Sequence, residues 1–507
     1  MSKPTTLRER FNMLDGKRSE ILDKSYLHAN FTIPRLFPER YFQGDTHTWS
    51  LPELYSNKAG NNVMTLASMM TTALFPPNDV PFYELKLSPE LTQEERDVLL
   101  NPVQEVERLA LDVLQASNLR PTIFVALQHA IVMGDSLIHQ LDSKTFKVYH
   151  PAHFLIRRDG SGDIVEYWTL DWVVTDLLED DLSKINGGKP TDSNGEHEPL
   201  YTQIRKDGDK WNVEREFRNV KYETDKSYKI LPYYHLGWTP VAGEDYSRSL
   251  VEENFGTIRS LELVSKALAE GVSAGSEGRI LLDPTSTTTE DDIVGSTNWS
   301  IISARPGSIE AFQPNVSGTV SVAATAMGMY EEALDKAFLA TSVAQLRGER
   351  VTAFQTNQVL NEQAQALGGT LSTLEQDIER IVNRTIFLLV EDKKLSKEFR
   401  TLMDEKAVTI SISSGLDALG RQADVVRLEN ILNLALQSQQ PEMIEVLKFP
   451  AIMRALARNS GLDMDMYTRT EEEVAERQQA QQQQQVQQQA AQQAISSAGN
   501  IAESNLG

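Results

Sequence analysis

The sequence predicts an α+β chain, mainly α. Three observations carry this: apolar stripes at three- and four-residue steps over most of the length, a block near residues 138–217 where apolar residues alternate instead, and Gly- or Pro-rich turns that separate the two periods. At 507 residues the chain has room for roughly three or four structural units with sizeable cores.

An N-terminal helical patch is followed by proline punctuation at Pro34, Pro38 and Pro52. A helix is then expected from about Asn57 to Leu74, because Val63, Leu66, Ala67, Met70 and Leu74 fall on one stripe, and Phe75-Pro76-Pro77 ends it. Thr92-Gln93-Glu94-Glu95 has capping-box spacing and opens a second helix through Val106, Leu109, Val113 and Leu114, which Pro102 is expected to kink or split. From about Ile138 the period becomes that of strands. FLIRR, the turn Asp159-Gly160-Ser161-Gly162 and DIVEYWTL form one expected hairpin; Tyr201 to Arg205, the turn Asp207-Gly208-Asp209 and Trp211 to Phe217 form another, with Trp211, Val213 and Phe217 on one face. Between them, Asp176 to Glu198 carries seven acids against two lysines and is expected to be a solvated loop.

A long helix is predicted from Arg248 to Ala274, with Val251, Phe255, Ile258, Leu261, Val264, Leu268 and Val272 as its stripe. About forty residues of strand and turn character follow (RILLDP, NWSIISA, Arg305-Pro306-Gly307-Ser308, IEAFQ). Helix resumes near Gly318 and runs to about Leu346, rich in alanine. After the charged break Arg347-Gly348-Glu349-Arg350, Leu360, Ala364, Leu367, Leu371, Leu374, Ile378 and Ile381 make a seam with Gly368-Gly369 inside it. The chain ends in a Gln/Ala tract, twelve glutamines among residues 478–493, which offers almost nothing to bury.

Composition removes several classes of function. A net charge of −23 repels DNA phosphates from an average face of the molecule, against general nucleic-acid binding. Zero cysteines exclude disulfides, thiol catalysis, Cys-ligated zinc and iron–sulfur clusters. MSKPTTLRERF has no apolar core and is not expected to be a secretory signal, and no stretch of about 18 uncharged apolar residues suggests a membrane span.

Catalytic motifs fail one by one. Gly187-Gly188-Lys189 runs into Pro190 and is no P-loop; His197-Glu198 meets Tyr201 where a zincin needs its second histidine. His150 and His153 flank Pro151 and are expected to pack instead of binding metal. Acidic clusters such as Glu290-Asp291-Asp292, Glu179-Asp180-Asp181 and Asp463 with Asp465 are expected to be solvated faces. Gly271-Val272-Ser273-Ala274-Gly275 satisfies G-x-S-x-G, but the order is helix then strand, and no histidine follows His235 to serve as base. The motif is therefore expected to be a helix C-terminus. Neither a catalytic group, a metal site nor a cofactor is expected.

The order of blocks resembles the portal, or head-to-tail connector, proteins of short-tailed bacteriophages with the T7-like tail plan. The resemblance lies in AGNNVMTLASMMTTALFPPNDVPFYEL (Ala59 to Leu85), FLIRRDGSGDIVEYWT (Phe154 to Thr169), GEDYSRSLVEENFGTIRSLELVSKAL (Gly243 to Leu268) and, most tellingly, GERVTAFQTNQVLNEQAQALGGTLSTLEQDIERIVNRTIFLL (Gly348 to Leu389). It covers roughly residues 5–430.

The resemblance implies a portal-type fold: a wing over residues 1–247, a first stem helix over 248–275, a small β clip over 276–317, a second stem helix over 318–346, a tunnel loop over 347–356, a long seam helix and the rest of the wing over 357–430, and a helical crown with the Gln-rich tail over 431–507. It implies a homo-oligomeric ring, about twelve copies, in the virion at one capsid vertex, assembled in the host bacterial cytoplasm and serving as the channel for double-stranded DNA packaging and ejection. The partners implied are the terminase large subunit, a tail adaptor protein, the major capsid and scaffolding proteins, internal core or ejection proteins, and double-stranded DNA held weakly and without sequence preference. Arg347 and Arg350, moderated by Glu349, are then expected to approach phosphates in the tunnel loop, with Lys336 a weaker channel candidate beside Glu331, Glu332 and Asp335. The acidic balance suits a conduit, which must release DNA at every step. Two other readings compete: a helical scaffold or assembly chaperone without a closed ring, and, distantly, a serine hydrolase using Ser273.

Overall fold

The computed structural model describes residues 6–37, 51–75, 82–87, 92–174, 197–276, 279–285, 288–295, 297, 301–312, 317–340, 373–391 and 408–412. All of them belong to one compact unit, 1–75 with 82–416. The second unit, 76–81 with 417–507, and with it the expected crown, lies outside the described residues.

Two short helices open the chain, α1 (Leu7–Lys17) and α2 (Ser19–Asn30). Helix α3 (Lys58–Leu74) buries the predicted stripe of Val63, Leu66, Ala67, Met70 and Leu74. Strand β1 (Tyr83–Leu87) precedes α4 (Gln93–Gln115), which is not split at Pro102, where a kink or a split is expected. Proline removes one ladder bond there, and the buried Val103, Val106, Ala110 and Leu114 downstream of it hold the helix to the core. Helix α5 (Leu119–Met133), which no apolar stripe announces in the sequence, is buried along most of its length.

Strands β2 (Asp135–Gln140) and β3 (Phe146–Tyr149), with the late strand β9 (Tyr233–Gly237), form a three-stranded antiparallel sheet in the order β3-β2-β9. A five-stranded antiparallel meander follows: β4 (Phe154–Arg158), β5 (Ile164–Val174), β6 (His197–Asp207), β7 (Lys210–Phe217) and β8 (Val220–Tyr228). Both predicted hairpins are here, with Phe154 opposite Thr169 and Ile204 opposite Val213. His197 and Glu198, expected in the acidic loop, pair in β6 with Val174 and Val173. The meander's period-two alternation buries both faces. Leu155, Trp168 and Tyr201 pack under Leu7 and Phe11 of α1, while Phe154, Ile156, Tyr167, Ile204 and Val213 meet Leu137, Tyr149 and Tyr233 of the smaller sheet.

Helix α6 (Leu250–Ser276) leads into an insertion made of β10 (Arg279–Leu282), the short α7 (Glu290–Val294) and β11 (Ile309–Phe312), with β10 and β11 paired antiparallel. Residues 301–304, the described end of the expected NWSIISA strand, form no strand, and Ile301 is fully exposed. Helix α8 (Ser317–Ala337) is interrupted before the expected Leu346: the backbone turns at Phe338, whose ring is buried, Leu339 takes a left-handed φ of 57°, and Ala340 is helical again, the residues after it lying outside the described ones. Such a φ is sparsely tolerated by leucine and breaks the helical ladder. Residues 373–391, here α9, are helical, and their seam residues Leu374, Ile378 and Ile381 are buried; β12 (Val408–Ile412) pairs antiparallel with β1. The rest of the seam, including Gly368-Gly369, lies outside the described residues.

One large core joins these helices. It gathers Val63 and Met70 of α3, Ile123 and Ile131 of α5, Val251, Ile258 and Leu261 of α6, Leu334 and Phe338 at the end of α8, and Ile378 and Ile386 of α9. Buried polar bonds give it register: Gln140 on β2 accepts from Tyr234 Oη at 2.8 Å and donates to Thr385 Oγ1 of α9 at 2.9 Å. Among the described residues no helix is long and apolar enough to cross a membrane.

Candidate functional site

The part of the molecule built differently from the rest is the arm formed by α6, α8 and the β10–α7–β11 insertion. Residue spacing sets its shape: α6 carries apolar residues on more than one side, so one stripe enters the core while others stay outside. The root is buried and locked. Val251, Ile258, Leu261, Leu334 and Phe338 lie in the main core. Glu262 of α6 accepts from the backbone N–H groups of Tyr55 at 2.8 Å and Ser56 at 3.0 Å. Asp335 of α8 accepts from Lys58 Nζ at 2.8 Å and Asn62 Nδ2 at 2.9 Å, both on α3. Arg248, just before α6, bridges Glu244 and Glu252, and its hydrogen bond holds the Glu244 carboxyl below the usual range.

On the faces of the arm turned away from the core, at the root as well as farther out, the chemistry reverses. Val272, expected on the buried stripe, is 54% exposed, and Leu263 59%, Val322 71% and Met329 68%. Ile280 and Leu281 of β10, Val294 after the capped turn of α7, and Ile301 are exposed as well. Isolated exposed apolar residues are ordinary, but this many on one slender arm mark a surface meant to be covered. The sequence reading missed this set; the available signal was that Leu263 lies off the stripe through Leu261 and Leu268.

Small residues let the two helices approach. Gly271, inside the G-x-S-x-G match, would place a Cβ 3.7 Å from Val320 Cγ2 of α8. The match therefore lies within a continuous helix that runs past Gly275 to Ser276, with no strand-to-helix elbow to present Ser273 as a nucleophile. The acidic cluster Glu290-Asp291-Asp292 starts α7: the Asp292 carboxylate accepts from Thr289 N and Oγ1, both at 2.8 Å.

Of the predicted channel residues, Lys336 lies on the exposed side of α8 and binds Glu332 Oε1 at 2.7 Å, a bond that lowers the glutamate's pKa. Its neighbour Asp335 faces the other way, into the α3 lock. Arg347, Glu349 and Arg350 lie outside the described residues.

The histidine pair sits in packing. His150 and His153 have ring centroids 5.6 Å apart, and His129 lies 6.5 Å from His150. Burial holds them neutral, His129 and His153 down to about 4 and His150 to about 2. No group of His, Asp or Glu among the described residues is arranged to hold a metal ion.

Comparison with known proteins follows this geometry. The family profile of the bacteriophage head to tail connecting protein matches residues 4–467. The portal protein of Escherichia phage T7 is 26% identical over 491 residues, covering 92% of this chain and 89% of that protein. The portal protein of Enterobacteria phage T3 is 25% identical over 472 residues, covering 88% and 84%, and that of Pseudomonas phage phiKMV 24% over 449 residues, covering 82% and 84%. Among solved structures, the neck of a native gene transfer agent particle computed with C12 symmetry aligns at 10% identity and a TM-score of 0.35, covering 73% of this chain and 86% of that one, too loose a likeness to carry detail.

Proposed function

This chain belongs to the bacteriophage head to tail connecting protein family, and from that membership we propose that it works as a ring of about twelve copies at one capsid vertex, enclosing the path of double-stranded DNA. The observation that carries the ring is the arm. Leu263, Val272, Val322 and Met329 are exposed on a single chain, and side-by-side copies around an axis would cover them. Burial of such side chains stabilises by up to roughly 1.5–3 kcal/mol each, which opposes the mutual repulsion of neighbours that each carry a charge of −23.

In this reading α6 and α8 are the stem helices, the β10–α7–β11 insertion is the clip on which terminase and later a tail adaptor dock, and the remaining described elements form the wing. The break after α8 leads into the tunnel loop, where Arg347 and Arg350 approach phosphates with Glu349 beside them; Lys336, already paired with Glu332, contributes less. Residues 431–507 form the crown. Contact with DNA is weak, strongly salt-dependent and blind to sequence, since each neutralised phosphate adds affinity that translocation must break. The role is non-catalytic: force comes from a separate ATPase, and the protein resides in the virion.

Single-particle imaging of the purified full-length protein tests this. The expected result is closed rings whose central hole passes a duplex. Monomers, dimers or open filaments at micromolar concentration would overturn it and favour the scaffold reading. Tight binding of one DNA sequence at physiological salt would overturn the conduit.

A further inference from the structure

Away from the arm, a cleft of about 590 Å³ opens between the α1–α2 corner, the end of β4 and residues 244–252. Its size is that of a ligand site. Along its helical wall Arg10, Met13, Lys17, Ile21 and Lys24 follow one another at steps of three and four residues, so cation and apolar side chains alternate across the α1–α2 junction. Met13 and Ile21 are exposed there despite their apolar character. At the corner sits Arg18, only 4% exposed, with its guanidinium 5.8 Å from the Tyr246 ring centroid. Arg18 Nε donates to Asp15 Oδ1 at 2.9 Å, and Nη2, also buried, lies equally near that oxygen. A single carboxylate oxygen thus serves both arms of a buried guanidinium, a fork whose geometry matches the two oxygens of a carboxylate.

Charge selects the occupant. The cleft is lined by six Lys and Arg side chains against four carboxylates, in a chain whose overall charge is −23. Two of the six, Arg10 and Arg157, already share buried Glu166, and Arg248 is held by Glu244 and Glu252. Lys24 has only a distant contact with Glu252, at 3.6 Å, and Lys17 makes no bond among the described residues. Two under-used cations thus flank a buried guanidinium that shares one carboxylate oxygen of Asp15, with apolar side chains between them.

We propose that this cleft docks an acidic amphipathic helical segment of a partner protein, one carboxylate entering toward Arg18 and its neighbours meeting Lys17 and Lys24, while apolar side chains cover Met13 and Ile21. The mode is that of a helix laid in a groove, read by anchors at helical spacing. It does not depend on the ring, because every group belongs to one chain.

The test is fluorescence anisotropy on the full-length protein with a fluorescein-labelled amphipathic peptide of Glu and Leu at helical spacing, beside a Lys and Leu peptide of the same pattern. The expected result is micromolar binding of the acidic peptide alone, weakening with added salt and falling about tenfold or more in Lys17→Glu/Lys24→Glu, whose exposed positions leave folding intact. Arg18→Met should lose binding too, with a thermal midpoint reported beside it. Equal binding of both peptides, no binding, or an affinity unchanged by charge reversal would overturn the proposal. So would loss of self-association in Lys17→Glu/Lys24→Glu with peptide affinity intact, which would assign the cleft to a neighbouring copy.

Discussion

Lys58 Nζ lies 2.8 Å from Asp335, joining the first turn of α3 to the last turn of α8 across 277 residues of sequence. Asn62, one turn along, donates to the same carboxylate. One acid thus ties the arm to the helical body at its root. Asp335→Ala should remove both bonds and strand a half-buried ammonium, for a loss of about 1–3 kcal/mol in urea unfolding. Lys336→Ala, next in sequence but solvent-facing, should change stability by less than about 0.5 kcal/mol.

Gly60 is fixed by a close approach. A Cβ there would lie 2.5 Å from the carbonyl oxygen of Thr32, whose hydroxyl is itself bonded to His28 O at 2.7 Å and cannot easily move. Gly60→Ala should therefore destabilise by about 1–3 kcal/mol despite the better helix propensity of alanine, visible as a lowered thermal midpoint.

Acid should unfold the protein early. Burial lowers the pKa of His129 and His153 to about 4, His139 to about 3 and His150 to about 2, so the unfolded chain takes up protons that the native state refuses. Native stability is then full above about pH 6.5 and lost as pH falls toward those values. At pH 5 each such histidine should cost about 2 kcal/mol relative to neutral pH. His139→Gln, measured by denaturant titration across pH, should flatten that slope.

Asp377 acts with the opposite sign. Burial raises its carboxyl to about 6, against the smaller pull of Arg380 and His235, so the native state binds a proton more readily than the unfolded chain between about pH 4 and 6. Its contribution is full below pH 4 and is lost as pH rises through 6. Asp377→Asn should thus stabilise at pH 7, by an amount of the order of 2 kcal/mol, and make little difference at pH 4.

The arm's apolar surface should matter for association and not for folding. Val322→Asp with Met329→Asp, both on exposed faces, should leave the thermal midpoint of the single chain within a few degrees while reducing ring yield in light scattering. Ring formation undiminished by both charges would remove the arm from the interface.

What could be read from the sequence follows from where each period comes from. Helix α3, the two hairpins and α6 were legible because each buries one side and wets the other, which writes the period into the sequence. Helix α5 was not, and strand β2 only from about Ile138 onward, since Ile123, Leu127, Ile131 and Val132, or all six residues of β2, are buried and leave no polar side to mark a phase. Strand β9 pairs with β2 across about a hundred residues, a partnership no local window contains. The break at Leu339 follows from tertiary burial of Phe338, where propensity alone favoured more helix. For the candidate site, the arm's limits were visible but its uncovered side was not, because Val272 has the spacing of a core residue and lies beyond the reach of the core.

The arm is also a cantilever. With 27 residues, α6 is about 40 Å long, and only its first half is clamped, by the core around Val251, Ile258 and Leu261 and by the hydrogen bonds of Glu262. A load applied at the β10–β11 end passes along α6, unbroken from Leu250 to Ser276, and reaches the clamp as torque, shared between Glu262 on one helix and Asp335 on the other. The two carboxylates stand as the fixing bolts of a stiff beam, and the force needed to loosen either, pulled from the tip, would measure how much of a tug on the clip the body can feel.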